Sequence, residues 1–218
     1  MTNDQRLCLE VEQLSCARNN KTLFEDLNFS LHSGEIMIVE GNNGSGKTTL
    51  LKLLCGLRSP DQGTIKFNHQ EIDDLAREYN DQLLYLSHKN GVKADLTARE
   101  NLNSFCQLYG QPAEFVDEVL VKMELVNEAD ISCRFLSEGQ NRRVALARLL
   151  LSPAPIWILD EPLTALDEAG VELVKKLLHL KLQREGMIII SSHHDLNIDE
   201  GIGMQRINLT PSLLTSVA

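Results

Sequence analysis

The stretch Ile36-Met-Ile-Val-Glu-Gly41-Asn42-Asn43-Gly44-Ser45-Gly46-Lys47-Thr48-Thr49 decides how this chain is read. Ile36–Val39 is a short apolar run, the pattern of a strand buried on both faces. Gly41 to Thr48 matches the spacing glycine, any four residues, glycine, lysine, serine or threonine at every fixed position. Each residue type has a physical task. Glycines let backbone N–H groups approach phosphate oxygens without a Cβ in the way, and the N-terminus of the helix that follows favours an anion. Lys47 is expected on the β- and γ-phosphates of a nucleotide, the Thr48 hydroxyl on Mg²⁺, and the Thr49 hydroxyl on an α-phosphate oxygen. The helix is expected from about Gly46 to Leu57, with Leu50, Leu51, Leu53, Leu54 and Leu57 on its apolar face.

A second decisive run lies further along. Ile156-Trp-Ile-Leu-Asp160-Glu161 is an apolar strand that ends in two acids. Charges are too costly inside such a strand and belong at its open end, which is where ligands bind in an α/β sheet. Asp160 is therefore expected to hold Mg²⁺ through its water shell, and Glu161 to act as general base on the attacking water. The alternative, a pair of solvated strand-end carboxylates, loses force beside the glycine-rich loop.

Around these runs, strands are expected at Thr64–Phe67, Leu83–Ser87 and Met187–Ser191. Thr97 with Glu100, and Ser137 with Gln140, are capping-box patterns that open helices ending near Gly110 and Leu151. Pro112 suits the first position of another helix running to about Glu124, and a further helix is expected from about Glu168 to Arg184. Strands alternating with helices imply an α/β fold with a mostly parallel core sheet. The helical stretch from about 93 to 152 interrupts the alternation and reads as a lobe inserted into a single domain spanning 1–218.

Composition sets the outer bounds. The 218 residues include 21 Lys and Arg against 31 Asp and Glu, a net charge of −10, with 43% hydrophobic residues. A globular domain fits and disorder does not. An acidic chain is a poor non-specific ligand for nucleic acid or anionic lipid, although a local basic patch remains compatible with it. No apolar run approaches the roughly 18 residues that span a bilayer, and the first ten residues carry no apolar core of a secretion signal. The five cysteines form no CxxC pair and are expected to be buried, reduced and inert.

Leu136-Ser137-Glu138-Gly139-Gln140, placed between the glycine-rich loop and the Asp160-Glu161 strand, brings in a family. Over essentially its whole length the chain resembles the ATP-binding subunits of ABC transporters, whose signature is usually LSGGQ. The resemblance implies an ABC ATPase cassette with a RecA-like core, an N-terminal antiparallel β part and an inserted helical lobe. It also implies a homodimer in which the helix tip at Ser137, Glu138, Gly139 and Gln140 closes over the γ-phosphate held by the other copy, with Ser137 and Gly139 as the contacts. A carboxylate facing a triphosphate would repel it, so the Glu138 side chain is expected to point away. Thr164-Ala-Leu-Asp167 resembles the family's D-loop at the dimer seam, a role compatible with Asp167 simply capping the next helix. Ser191-Ser-His193 resembles the switch segment, with His193 rather than His194 on the γ-phosphate.

Two positions depart from the common pattern. Where most members carry an aromatic residue that stacks on adenine, spacing places Arg18, whose planar guanidinium can stack on a purine or can be a solvated loop residue. Where most carry a glutamine that senses Mg²⁺ and water, the strand from Leu83 is followed by His88. Together with the layout of His88–Leu102, Arg142–Leu149 and Trp157–Pro162, these make the chain similar to the CcmA family of cytochrome c biogenesis. That resemblance implies integral membrane partners of the CcmB, CcmC and CcmD kind, a peripheral place on the cytoplasmic face of the bacterial inner membrane, and ATP and Mg²⁺ as cofactors. It implies energy used to release a heme-loaded chaperone or export heme, with no direct heme binding and no nucleic-acid binding by this chain. The competing readings are the ATPase subunit of another small exporter, a soluble ABC ATPase, and a P-loop kinase. The kinase lacks a segment like Leu136–Gln140, and the soluble ATPases usually carry paired cassettes or basic surfaces.

Overall fold

A computed structural model describes residues 6–19, 21–192, 196, 198 and 201–209. Its centre is a sheet of parallel strands in the order β6-β7-β8-β3-β9, where β3 is Ile36–Glu40, β6 Leu83–Leu86, β7 Ile156–Asp160, β8 Met187–Ser191 and β9 Met204–Asn208. Side chains alternate across a strand, so each central strand serves two cores. Ile36 and Ile38 pack on one face with Trp157, Leu159, Ile188 and Ile190, beneath helices α4 (Ala98–Leu108), α5 (Val116–Lys122), α6 (Glu138–Leu151) and α7 (Glu168–Gln183). Met37 and Val39 point to the other face with Ile156, Ile158, Met187 and Ile189, against helix α1 (Lys47–Leu54). Both faces are covered, which explains why these strands read as unbroken apolar runs rather than alternating ones.

The second core is closed by an antiparallel sheet in the order β2-β1-β4-β5, with β1 Cys8–Arg18, β2 Lys21–His32, β4 Gln62–Phe67 and β5 Gln70–Glu71. Leu9, Val11, Leu14 and Cys16 are the buried side of β1. The spacing skips a residue after Val11 because the pairing shifts register there and Gln13 takes a left-handed φ of 50°. Short helices α2 (Ile72–Leu75) and α3 (Arg77–Asn80) lead from this sheet to β6. The parallel core, the antiparallel part and the helical region are the three parts expected from the sequence. All five cysteines are buried and unpaired, as expected of small apolar side chains.

Both capping boxes form. Thr97 Oγ1 accepts from the Glu100 N–H at 3.1 Å while the Thr97 N–H donates to Glu100 Oε2 at 2.8 Å. Ser137 and Gln140 make the same reciprocal pair at 3.1 and 2.8 Å. Two boundaries differ from the sequence expectation. Pro112 does not begin a helix: its backbone is extended (ψ 127°) and a 3₁₀ turn at Ala113–Phe115 precedes α5. Helix α1 stops at Leu54, three residues short of Leu57, because Gly56 takes the left-handed conformation that terminates helices. Leu57 is accordingly exposed.

Asn101, buried in α4, holds the loop that enters the helical region. Its Oδ1 accepts from the Lys93 N–H at 2.8 Å, and its Nδ2 donates to the carbonyls of Lys93 and Thr97 at 3.0 and 2.9 Å. Asn101→Ala leaves the Lys93 N–H without its acceptor, while the carbonyls of Lys93 and Thr97 keep only the N–H groups of Leu96 and Asn101. We expect it to lower unfolding free energy by about 1–3 kcal/mol, read as a shift of the urea midpoint at constant slope; an unchanged midpoint would show that water replaces the side chain at no cost.

Candidate active site

The carboxyl ends of β3 and β7 open into one cleft of about 660 Å³. The loop between β3 and α1 forms its floor. Gly46 sits at φ 109° as the residue ahead of α1, a conformation an L side chain rarely adopts, and a Cβ there would come within 3.1 Å of Leu23 Cβ. Gly41, at φ 143°, would place a Cβ 2.5 Å from Ser45 Oγ. The glycine pattern is therefore a steric requirement of the loop itself. Lys47 is buried, and its ammonium folds back to donate to the Gly41 carbonyl at 2.7 Å. Asn42, Asn43, Gly44, Thr48 and Thr49 also line the cleft.

Asp160 is 1% exposed. A carboxylate at that depth must be hydrogen-bonded. Thr48 Oγ1 donates to its Oδ2 at 2.8 Å and Ser191 Oγ donates to its Oδ1 at 2.7 Å. The two acceptor and donor oxygens of Asp160 and Thr48 thus come from β7 and α1 and meet at the mouth of the loop. Hard oxygens in this arrangement fit Mg²⁺, which favours carboxylate and hydroxyl ligands alongside phosphate oxygens and water.

Glu161 follows at φ 48°, in the left-handed region, which costs a residue with a Cβ roughly 1–2 kcal/mol. Its N–H donates to Ser191 Oγ at 2.9 Å and to the Ser191 carbonyl at 3.1 Å, and its own carbonyl accepts from Arg142 Nη2 at 2.7 Å. The side chain turns toward the cleft, with Oε1 3.7 Å from Lys47 Nζ. Backbone strain maintained on both sides of one residue is typical of a functional position.

Arg18, at the end of β1, and His88, just beyond β6, are both exposed and line the same cleft. Tyr85 lines it from β6, and burial, reinforced by Asp160, pushes its phenol well above the ordinary value. Ser137, Glu138, Gly139 and Gln140 are not part of that lining. They form the start of α6 and its cap, where Ser137 and Glu138 are exposed. A Cβ at Gly139 would come 2.9 Å from the Ala165 carbonyl, so the start of α6 packs closely on the loop at 164–167. Asp167 caps α7, accepting from the Gly170 N–H at 2.9 Å, and pairs with Arg143 at 2.9 Å. The Gly170 N–H first, and Arg143 next, hold its carboxyl below the usual range. His193 and His194 lie outside the described residues.

Two residues of consequence escaped the sequence reading. Ser191, fully buried, joins Asp160 to the Glu161 backbone. Arg142, 2% exposed, donates to the carbonyls of Asp160, Glu161 and Pro162. Burial draws its guanidinium down from the ordinary value, opposed by Asp160 and Glu161. The one available signal for Arg142 is a charge two residues ahead of the apolar run Val144-Ala-Leu-Ala147 in α6.

The comparisons with known proteins agree with this geometry. The ABC transporter family model matches residues 24–164. The Nitrosomonas europaea cytochrome c biogenesis ATP-binding export protein CcmA is 47% identical over 190 residues, covering 86% of this chain and 89% of that protein. Its Nitrosospira multiformis counterpart is 44% identical over 204 residues, covering 93% and 98%. Among solved structures, a Pyrococcus furiosus protein described as an ABC transporter ATP-binding protein superposes with a TM-score of 0.79 at 29% identity, covering 93% of this chain and 97% of that one. The chain belongs to the ABC transporter family of nucleotide-binding, ATP-hydrolysing cassettes, and within it to the CcmA family of ATP-binding proteins.

Proposed function

We propose that this chain is the ATP-hydrolysing subunit of an ABC complex in c-type cytochrome biogenesis, working on heme export or on release of a heme-loaded chaperone. Identity of 40–47% to several CcmA proteins over most of their length supports the biological assignment. The chemistry is carried by one observation: buried Asp160 with its Thr48 hydroxyl partner, and the strained Glu161, converge on the glycine-rich loop.

In this reading the backbone N–H groups of Gly41 to Thr49 and the ammonium of Lys47 bind the phosphates. Thr48 and Asp160 hold Mg²⁺, which neutralises charge on the phosphate oxygens when bound. Glu161 takes the proton of the attacking water. His193 is assigned to the γ-phosphate and the attacking water, His88 to the water and Mg²⁺, and Arg18 to stacking on the purine. Two copies close on two nucleotides, each gripped by the loop of one copy and by Ser137 and Gly139 of the other. Three features of the helix tip suit it to that task. It lies outside its own cleft, its Ser137 hydroxyl accepts from Gln140 and so keeps a proton to donate, and the first N–H groups of α6 carry the positive end of the helix dipole. Glu138 in the first turn is favoured by the same dipole and turns away from the nucleotide. Closure is passed through the region 88–102 to membrane subunits of the CcmB, CcmC and CcmD kind at the cytoplasmic face of the inner membrane. No helix among the described residues is long and apolar enough to cross a membrane.

Glu161→Gln is expected to bind ATP normally and to hydrolyse it at least ~10²-fold more slowly, measured as phosphate release beside equilibrium ATP binding; near-normal turnover means another group is the base. His88→Ala should keep ATP affinity but reduce the stimulation of turnover by the membrane subunits; a loss of affinity with stimulation intact reverses that role. In the native host, deleting the gene should abolish covalent heme staining of c-type cytochromes. Normal staining removes the biogenesis assignment and leaves the ATPase chemistry standing.

A further inference from the structure

We propose that Arg142 is a positioning residue for ATP hydrolysis: its guanidinium holds the Glu161 backbone in the conformation that turns the carboxylate into the cleft, and links that conformation to the helix beginning at Ser137. The inference rests on the reading of Glu161 as the base.

Arg142 lies in the second turn of α6 and is 2% exposed. Its planar guanidinium is spent on loop acceptors rather than on a carboxylate partner. Nε donates to the Pro162 carbonyl at 3.1 Å, and Nη2 to the carbonyls of Asp160 and Glu161 at 3.3 and 2.7 Å. Nη1 donates to Asn90 Oδ1 at 2.9 Å and to the Ser87 carbonyl at 3.3 Å. One side of the fork thus grips the end of β7, and the other grips the loop after β6 that carries His88. Of these acceptor residues, Ser87, Asp160 and Glu161 line the nucleotide cleft.

The left-handed φ of Glu161 needs support from both of its peptide groups. Ser191 holds the N–H, and Arg142 makes the shortest hydrogen bond to the carbonyl. A side chain whose role was only to fill the core would not be charged, since burying a guanidinium is costly unless its donors are satisfied. Lysine cannot substitute: its three donors radiate from one point, whereas this site needs a rigid plane with acceptors on two edges. The same helix carries two further arms. Arg143 pairs with Asp167, and Arg148 donates to the Gly91 carbonyl at 2.8 Å. In a dimer, a nucleotide clasped at Ser137 and Gly139 by one copy therefore acts on that copy's own base through α6, with Arg142 as the contact that reaches Glu161.

The test uses the full chain together with its membrane subunits. Arg142→Lys is expected to lower kcat by ~10- to 100-fold, the scale of a base misplaced by about an ångström, while KM for ATP and equilibrium ATP binding, read below the variant's own melting temperature, stay near wild type. The double variant with Glu161→Gln should be no slower than Glu161→Gln alone, because the arginine acts through the glutamate. Should the lysine variant not fold, Arg142→Gln, which retains one amide donor, is read for the same split. Wild-type kcat in a folded variant overturns the proposal. So does a fall in kcat matched by an equal loss of ATP affinity, or a further loss on top of Glu161→Gln. A fast Glu161→Gln enzyme defeats the assignment of the base and this inference with it, whereas a slow Glu161→Gln beside a normal Arg142→Lys defeats this inference alone.

Discussion

A buried carboxylate with two hydroxyl partners organises this molecule. Asp160 cannot sit at 1% exposure as an anion unless its oxygens are met, and the groups that meet them come from different elements. Thr48 arrives from the first turn of α1 and Ser191 from the last residue of β8. Strand β7, strand β8 and helix α1 are therefore tied at one point, at the end of the sheet where charge can reach solvent. The glycine-rich loop is compressed into the space that remains, which is why Gly41 and Gly46 admit no side chain. Removing the carboxylate would free two hydroxyls and loosen the floor of the cleft as well as the oxygen pair suited to Mg²⁺.

Ser191 shows how economically this point is built. One hydroxyl donates to Asp160 and accepts from the Glu161 N–H, so the residue that satisfies the buried acid also anchors its strained neighbour. Opposite it, the donors of Arg142 close over the carbonyls of Asp160, Glu161 and Pro162. The two acids that end an apolar strand thus separate in role by their surroundings. Asp160 is enclosed and fixed by hydroxyls, whereas Glu161 is turned outward beside the Lys47 ammonium, where a water molecule has room.

Much of this was legible in the sequence because the signals were local. The run Ile36–Val39, the glycine spacing and the two acids after Ile156 each carry their meaning within a dozen residues, and both capping boxes join side chains to backbone N–H groups three residues apart. Features set by distant partners were hidden. Strand β1 escaped because register shifts and the positive φ of Gln13 break its alternation. Strand β9 escaped because Met204–Asn208, half-exposed at the sheet edge, carries little apolar pattern. Pro112 was misread because position N1 and an extended residue ahead of a 3₁₀ turn call for the same φ. The role of Arg142 was hidden for a different reason: its acceptors lie 18–55 residues away, at the end of β7 and beyond β6, where only the folded sheet brings them together.

The charge of the chain follows a similar division between global and local. A net charge of −10 would repel a triphosphate from most of the surface. The cleft reverses that sign locally, because Arg18, Lys47, Lys52 and Lys89 face two carboxylates, Asp160 and Glu161. A focused positive region on an acidic body directs a polyanion to one place and discourages it elsewhere. It also accounts for the choice of basic side chains around the rim, where Lys52 and Lys89 add long-range attraction without competing for the inner positions that the loop backbone and Lys47 occupy. Arg18 lines the same cleft from the end of β1, so its charge adds to that of Lys47, Lys52 and Lys89.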